Sequence, residues 1–236
     1  MAVFVIGDLH LSFKNPKPMN IFGNNWDNHE EKIKNDWLKK VKEEDTVMLI
    51  GDFSWAMKIQ DAYLDFKYLE ELPGKKILLK GNHDYWWTTI TSMRKYLSEN
   101  GFKTIDFLFN NNFEIENKIF VGTRGWTLGE SAEERKMLER EAQRFELSIN
   151  DNKQKVGESK KEIIALFHYP PITKIQKSRN EMNEFIKIMK KNNINRCYYG
   201  HLHGNGIRDG LNENIFGIEF RLISCDSNNF ELLEIN

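Results

Sequence analysis

Hydrophobic and polar positions along this chain fall into two alternating periods. Short apolar runs at residues 2–6, 46–50, 76–80, 163–167 and 196–199 have the length of strands and carry little polar interruption. That is the pattern of strands covered on both faces. Helical spacings lie between them. Ile33, Trp37, Leu38 and Val41 recur at one helical face and predict a helix over 29–41. Ile59, Ala62, Tyr63, Phe66 and Leu69 mark another over 59–72, which Pro73-Gly74 stops. Further helices are predicted over 88–99, ended by Asn100-Gly101, over 132–149, charged and surface-lying, and over 180–191. Residues 113–115 and 118–121 flank a turn at Glu116-Asn117 and predict a hairpin. Residues 215–235 read as strand, turn at 227–229, strand, and residues 11–27 as a polar, Pro-containing loop.

Strand–helix alternation predicts a largely parallel arrangement with helices outside, and the hairpins add antiparallel strands. The fold class expected is α/β: two mixed β-sheets packed face to face and flanked by helices, as one domain over 1–236. A chain of 236 residues is long enough to bury a core without disulfide or metal staples.

Charge and cysteine content narrow the function classes. Lys and Arg number 34 against 35 Asp and Glu, a net charge of −1, so the chain lacks the basic field of a generic nucleic-acid or anionic-membrane binder. The apolar start, Met1 to Ile6, is broken by Asp8 and His10 before it reaches the length of a signal peptide. No run approaches the ~20 apolar residues of a membrane span. A cytoplasmic location with no membrane partner is expected. Cys197 and Cys225 are too few for a disulfide framework or a thiolate zinc site and are expected to pack as small buried residues.

The chemistry sits after five of the predicted strands. They are followed in turn by Gly7-Asp8-Leu9-His10, Gly51-Asp52, Gly81-Asn82-His83-Asp84, His168 and Gly200-His201-Leu202-His203. Ligands of open α/β sheets bind outside the carboxyl ends of the strands, so these clusters are expected to share one rim. The glycines are read as permitting a sharp exit from the strands. Imidazole, carboxylate and one amide without thiolate suit Mn, Fe, Zn, Co or Ni, with Mn favoured. The donors are too many for one ion. Asp8, His10 and His203 are assigned to one metal, Asn82, His168 and His201 to a second, and Asp52 to bridging them through its two oxygens. Two such ions about 3.5–4 Å apart activate a bridging hydroxide and stabilise displacement at phosphorus.

In this order, Asp-x-His, Gly-Asp, Gly-Asn-His-Asp, a lone His and Gly-His-x-His resemble the calcineurin-like metallophosphoesterases over residues 7–203. The Asp8–His10 segment, the loop from Lys17-Pro18-Met19 to Trp26 and the stretch Gly-Asn-His-Asp-Tyr-Trp-Trp are similar to a bacterial subgroup of predicted phosphohydrolases. The resemblance implies a four-layer α/β/β/α sandwich with a dinuclear site. It also implies that His83 contacts the phosphate and protonates the leaving group while Asp84 orients His83. The phosphatases of this superfamily that act on protein Ser/Thr resemble Gly-Asp-x-x-Asp-Arg-Gly at the second motif. Here Gly51-Asp52-Phe53-Ser54-Trp55-Ala56-Met57 lacks that Arg, which argues against protein phosphatase activity.

Other residues are candidates for substrate. Trp55, Tyr85, Trp86 and Trp87 follow the ligand motifs and either stack on a flat group or belong to the core. Arg124 either grips phosphate in place of the missing Arg or forms a structural ion pair. His29 is either a solvated first-turn residue or a substrate contact, and the 11–27 loop is expected to roof the site. The function expected is a binuclear metal-dependent phosphoesterase. It would hydrolyse a phosphomonoester or small phosphodiester through a metal-bridging hydroxide, with a small phosphorylated substrate as partner. A nuclease acting on nucleic acid and a non-catalytic scaffold of the same fold stand as the alternatives.

Overall fold

Alternate side chains of the central strands serve two different apolar layers. The computed structural model describes residues 1–129, 131–151 and 161–236. In β1 (Val3–Ile6) and β2 (Thr46–Ile50) every residue is buried. Val3, Val5, Met48 and Ile50 enter one cluster, and Phe4, Ile6, Val47 and Leu49 enter another on the opposite face. Period-two alternation with both faces covered explains why these strands read as unbroken apolar runs.

The first sheet has the order β11-β1-β2-β3-β4, with β3 at Lys75–Leu79, β4 at Ile105–Leu108 and β11 at Leu233–Glu234. The second has the order β5-β6-β7-β8-β10-β9. Its strands are β5 (Phe113–Ile115), β6 (Lys118–Thr123), β7 (Glu162–Phe167), β8 (Arg196–Tyr199), β9 (Asn214–Ile215) and β10 (Ile218–Leu222). β11, β5 and β9 pair antiparallel with β1, β6 and β10, and the remaining pairs are parallel.

Ile77, Leu79 and Leu108 of the first sheet meet Phe120, Ile164, Leu166 and Tyr198 of the second, so the sheets stack face to face. Ile33 and Trp37 of α1 (His29–Lys40), Phe66 and Leu69 of α2 (Tyr63–Glu70) and Met93 and Leu97 of α3 (Ile90–Glu99) cover the outer face of the first sheet. Phe145 and Ile149 of α4 (Ala132–Asn150) cover the second. Below, α5 denotes Lys174–Ser178 and α6 denotes Glu184–Lys191, whose Phe185 and Met189 join the same cluster. The result is the expected four-layer α/β/β/α sandwich. Each fully buried large side chain, such as Trp37, Phe66 or Phe145, contributes about 1.5–3 kcal/mol. Among the described residues no helix is long and apolar enough to cross a membrane.

Several local expectations change. β4 has no counterpart among the predicted strands, because Ile105-Asp106-Phe107-Leu108 is too short to show a period. The helix predicted over 180–191 begins at Glu184, where Asn183 Oδ1 accepts the Ile186 N–H at 3.2 Å. The strands before and after 227–229 are not a hairpin: β10 lies in the second sheet and β11 in the first. That crossing ties the sheets at one rim, where Gly7 N–H donates to Ile223 O and Cys225 N–H to Gly7 O, both at 3.0 Å.

Candidate metal centre

The five motif segments leave their strands at this rim, and the ligand residues themselves take the strained conformation. Asp8, His10, Asp52 and His201 have φ of 62°, 48°, 50° and 74°. Left-handed backbone in four such residues costs energy and concentrates where function requires it. Of the glycines ahead of them only Gly51, at φ 97°, is left-handed. Gly81 and Gly200 serve close approach instead. A Cβ on Gly81 would lie 2.1 Å from Asp52 N and Oδ1, and one on Gly200 2.2 Å from Asp8 Oδ2.

Two donor clusters form, Asp8 with His10 and His203, and Asp52 with His168 and His201. In the first, His203 Nε2 lies 3.2 Å from both Asp8 Oδ1 and His10 Nε2. His203 Nδ1 faces Asp226 Oδ1 at 2.8 Å, which turns Nε2 into the cluster. In the second, His168 Nδ1 faces the Ile50 carbonyl at 3.2 Å and Nε2 lies 2.7 Å from Asn82 Oδ1. With the Nδ1 proton donated to Ile50, two lone-pair atoms face each other, an arrangement that a cation reconciles. The residues therefore fit divalent metal ions. Asp52 Oδ1 accepts the His83 N–H at 2.7 Å. Its Oδ2 lies 3.7 Å from His10 Nε2 and 3.5 Å from His168 Nε2. One oxygen of Asp52 therefore faces both clusters, rather than the two expected.

Three of the four ligand histidines are held neutral, and the fourth, His203, carries a proton that a bound cation would displace. Burial lowers the His10 and His168 pKa values, and burial followed by the neighbouring His168 lowers His201 to about 3, leaving these rings as neutral donors. Burial and the Asp8 carboxylate push Asp52 well up, as two buried carboxylates in one site must. Burial opposes charge on Asp8, but His203, through its charge and its hydrogen bond, outweighs it and holds the carboxyl at about 2. Burial likewise opposes charge on His203, yet Asp8 and Asp226 hold it up at about 10.

The remaining candidates fall in varied places. Among the described residues His83 Nδ1 is buried without a partner, and burial, then His168 and Lys17, lowers the ring to about 4. Asp84 does not orient His83. Its carboxylate accepts the backbone N–H groups of Gly81, Asp52, Phe53 and Ser54 and the Trp86 indole N–H. Burial and Asp52 push it up to about 7 despite those donors. Trp86 is fully buried in the core, and Trp87 nearly so. Trp55 lies at the site, its ring 5.0 Å from His10, 4.2 Å from His83 and 4.3 Å beneath Lys17 Nζ. Tyr85 is 52% exposed beside His83.

His29 is not solvated. It is buried, with Nε2 3.0 Å from the Leu9 carbonyl between Asp8 and His10. Arg124 Nη2 lies 3.6 Å from the buried Glu141 and its guanidinium stacks 4.5 Å over Trp126. From the 11–27 loop, Phe22 and Trp26 pack 5.6 and 5.4 Å from His203. Cys197 and Cys225 are free and buried.

Asp226 and Tyr169 are not among the sequence candidates. Asp226 follows a sixth strand, β10, the same signal that marks the other acids. Tyr169 adjoins His168, and its ring lies 4.2 Å from His201.

A family model described as calcineurin-like phosphoesterase matches residues 1–205. No curated protein matches the sequence. Among solved structures, the protein TT1561 of Thermus thermophilus is similar over 100% of this chain and 98% of its own, at 14% identity and a TM-score of 0.60. A protein of unknown function from Aquifex aeolicus, AQ665, covers 99% and 95%, at 20% identity and a TM-score of 0.52. The phosphopantetheinyl hydrolase PptH of Mycobacterium tuberculosis covers 99% and 95%, at 10% identity and a TM-score of 0.53. These likenesses show a shared fold.

Proposed function

The chain belongs to the calcineurin-like phosphoesterase family, metal-dependent hydrolases of phosphoric esters, and from that premise we propose that it cleaves a phosphomonoester or small phosphodiester at a site holding two divalent cations. The observation that carries the two-cation reading is Asp52 Oδ2, within 3.7 Å of a donor in one cluster and 3.5 Å of a donor in the other. Asp8, His10 and His203 would hold one ion, Asn82, His168 and His201 the second, and Asp52 both. When bound, such a pair supplies an acidified water and stabilises charge at phosphorus. Mn, Fe, Zn, Co and Ni all suit this donor set, with availability rather than raw affinity deciding among them, and Mn is the ion favoured here.

The chain's own groups do the rest. With Nδ1 sealed, His83 has Nε2 left to face substrate, and a neutral ring with its proton there donates to the leaving oxygen. Trp55 fixes that ring by packing against it at a tilt, and Phe22 and Trp26 pack on the His203 side. The name of the fold neighbour from Mycobacterium tuberculosis describes a hydrolase of a phosphopantetheinyl group, which supports hydrolysis as a use of this fold. A small phosphorylated substrate fits the near-zero net charge better than a nucleic-acid polymer, which needs a basic track. A single domain acting in the cytoplasm completes the proposal.

The test is Mn²⁺-reconstituted hydrolysis of p-nitrophenyl phosphate and bis(p-nitrophenyl) phosphate. Dominant turnover of one names the ester class. Failure on both, with Mn²⁺, Fe²⁺, Zn²⁺, Co²⁺ and Ni²⁺ in turn, would overturn the proposal.

A further inference from the structure

Trp55 lies against His10 and His83, whereas Tyr169 lies against the other cluster. Tyr169 follows His168 at the end of β7, and its N–H donates to Arg124 O at 2.9 Å, which locks it beside the end of β6. Its ring sits 4.2 Å from His201 and 5.4 Å from His168. The residue as a whole is 8% exposed. Its body is thus fixed on two donors of one cluster.

The hydroxyl makes no hydrogen bond within the described residues. It is not sealed from solvent either, unlike the unpaired Nδ1 atoms of His10 and His83. Buried tyrosines ordinarily pair their hydroxyl. Here, among the described residues, the hydroxyl is left without a protein partner beside the His201 cluster instead. The charges and phenols in its field are Arg124, the Asp52 carboxylate that faces both clusters, and Tyr85. A phenolic hydroxyl is a proton donor at neutral pH.

Arg124 behind it has donors to spare. Both oxygens of the buried Glu141 are already taken, Oε1 by Arg144 Nη1 at 2.6 Å and Oε2 by the Thr123 hydroxyl at 2.5 Å. Arg124 Nη2 stays 3.6 Å away, beyond hydrogen-bond distance, and its Nε is buried without a partner among the described residues.

We propose that Tyr169 is a substrate contact: its hydroxyl donates a hydrogen bond to a non-bridging phosphoryl oxygen of the ester held at the two clusters, with Arg124 adding positive field behind it. This rests on the phosphoesterase reading above. The oxygen it would meet is anionic, so the bond is a charge-assisted one, stronger than a neutral pair.

Tyr169→Phe removes the hydroxyl and keeps the ring on His201. The experiment titrates Mn²⁺-loaded wild type and variant with inorganic phosphate by calorimetry, measures Mn²⁺ affinity, and follows p-nitrophenyl phosphate hydrolysis. Phosphate affinity and kcat/KM are expected to fall about tenfold to a hundredfold, the loss of a hydrogen bond to a charged group. Mn²⁺ affinity is expected to stay within about twofold, a smaller change than one lost hydrogen bond. Unchanged phosphate affinity in the variant overturns the proposal, as does a parallel loss of Mn²⁺, which would make the side chain a support for His201. Wild type that binds phosphate but hydrolyses no ester would refute the function while the phosphate titration still decides Tyr169. Wild type that binds no phosphate refutes both.

Discussion

Asp52 and Asp84 hold each other's loops. The Asp84 carboxylate accepts the Asp52 N–H at 3.0 Å, while Asp52 Oδ1 accepts the N–H of His83, the residue before Asp84, at 2.7 Å. The clasp uses one oxygen of Asp52 and leaves Oδ2 facing both donor clusters. It also explains how a left-handed Asp52, at φ 50°, is kept in place.

The clasp requires Gly81. An added methyl would meet Asp52 N and Oδ1 at 2.1 Å, both fixed groups. Gly81→Ala is expected to destabilise by about 1–3 kcal/mol and to weaken metal binding. Gly206→Ala, where a Cβ meets nothing within 4 Å, should stay within about 0.5 kcal/mol of wild type. Paired urea titrations and Mn²⁺ binding measure both, and equal stability of the two variants would refute the steric account.

Asp226 turns His203 toward the first cluster through its 2.8 Å contact with Nδ1. Replacing such an outer partner weakens metal affinity about 10–100-fold. That loss is expected for Asp226→Asn in chelator competition, with the fold retained by circular dichroism. Wild-type affinity would show that His203 needs no such partner.

Lys76 gives a pH signature remote from the site. Its ammonium is buried and bonded to the Leu72 carbonyl and the Thr104 hydroxyl. Burial lowers its pKa from 10.5 to about 8. Between those values the unfolded chain holds the proton and the folded chain has shed it, so stability rises with pH across that window. The contribution is complete above 10.5 and lost as pH falls through about 8. Its ceiling is about 3 kcal/mol. Denaturation of wild type and Lys76→Met from pH 7 to pH 10.5 should show a rising slope that the variant lacks. Parallel curves would refute it.

What was legible in the sequence was whatever a strand end announces locally. Asp8, His10, Asp52, Asn82, His168, His201 and His203 each follow an apolar run, and strand ends of parallel sheets point one way, so their meeting was readable. The partners of those residues were not, because they depend on which loops touch. Asp84 sits beside His83 in sequence yet serves the Asp52 loop. His29 is distant in sequence yet lies under Leu9. Trp55 and Trp86 look alike as aromatics after a ligand motif, but one faces the site and the other the core. The local period does not distinguish them, since both follow a turn. Arg124 depended on a buried acid, Glu141, inside a helix whose charge read as wholly solvated.

The most direct test of the central claim is metal stoichiometry with turnover in wild type and Asp52→Asn. Calorimetric titration of metal-free wild type with Mn²⁺ should give two equivalents per chain, with ester hydrolysis appearing as the second binds. In Asp52→Asn the second equivalent should weaken and hydrolysis should fall about a hundredfold or more, the loss of several kcal/mol of charge stabilisation. One equivalent with full activity in wild type, or an Asp52→Asn protein that binds both and turns over undiminished, would contradict a shared Asp52 at the heart of the site.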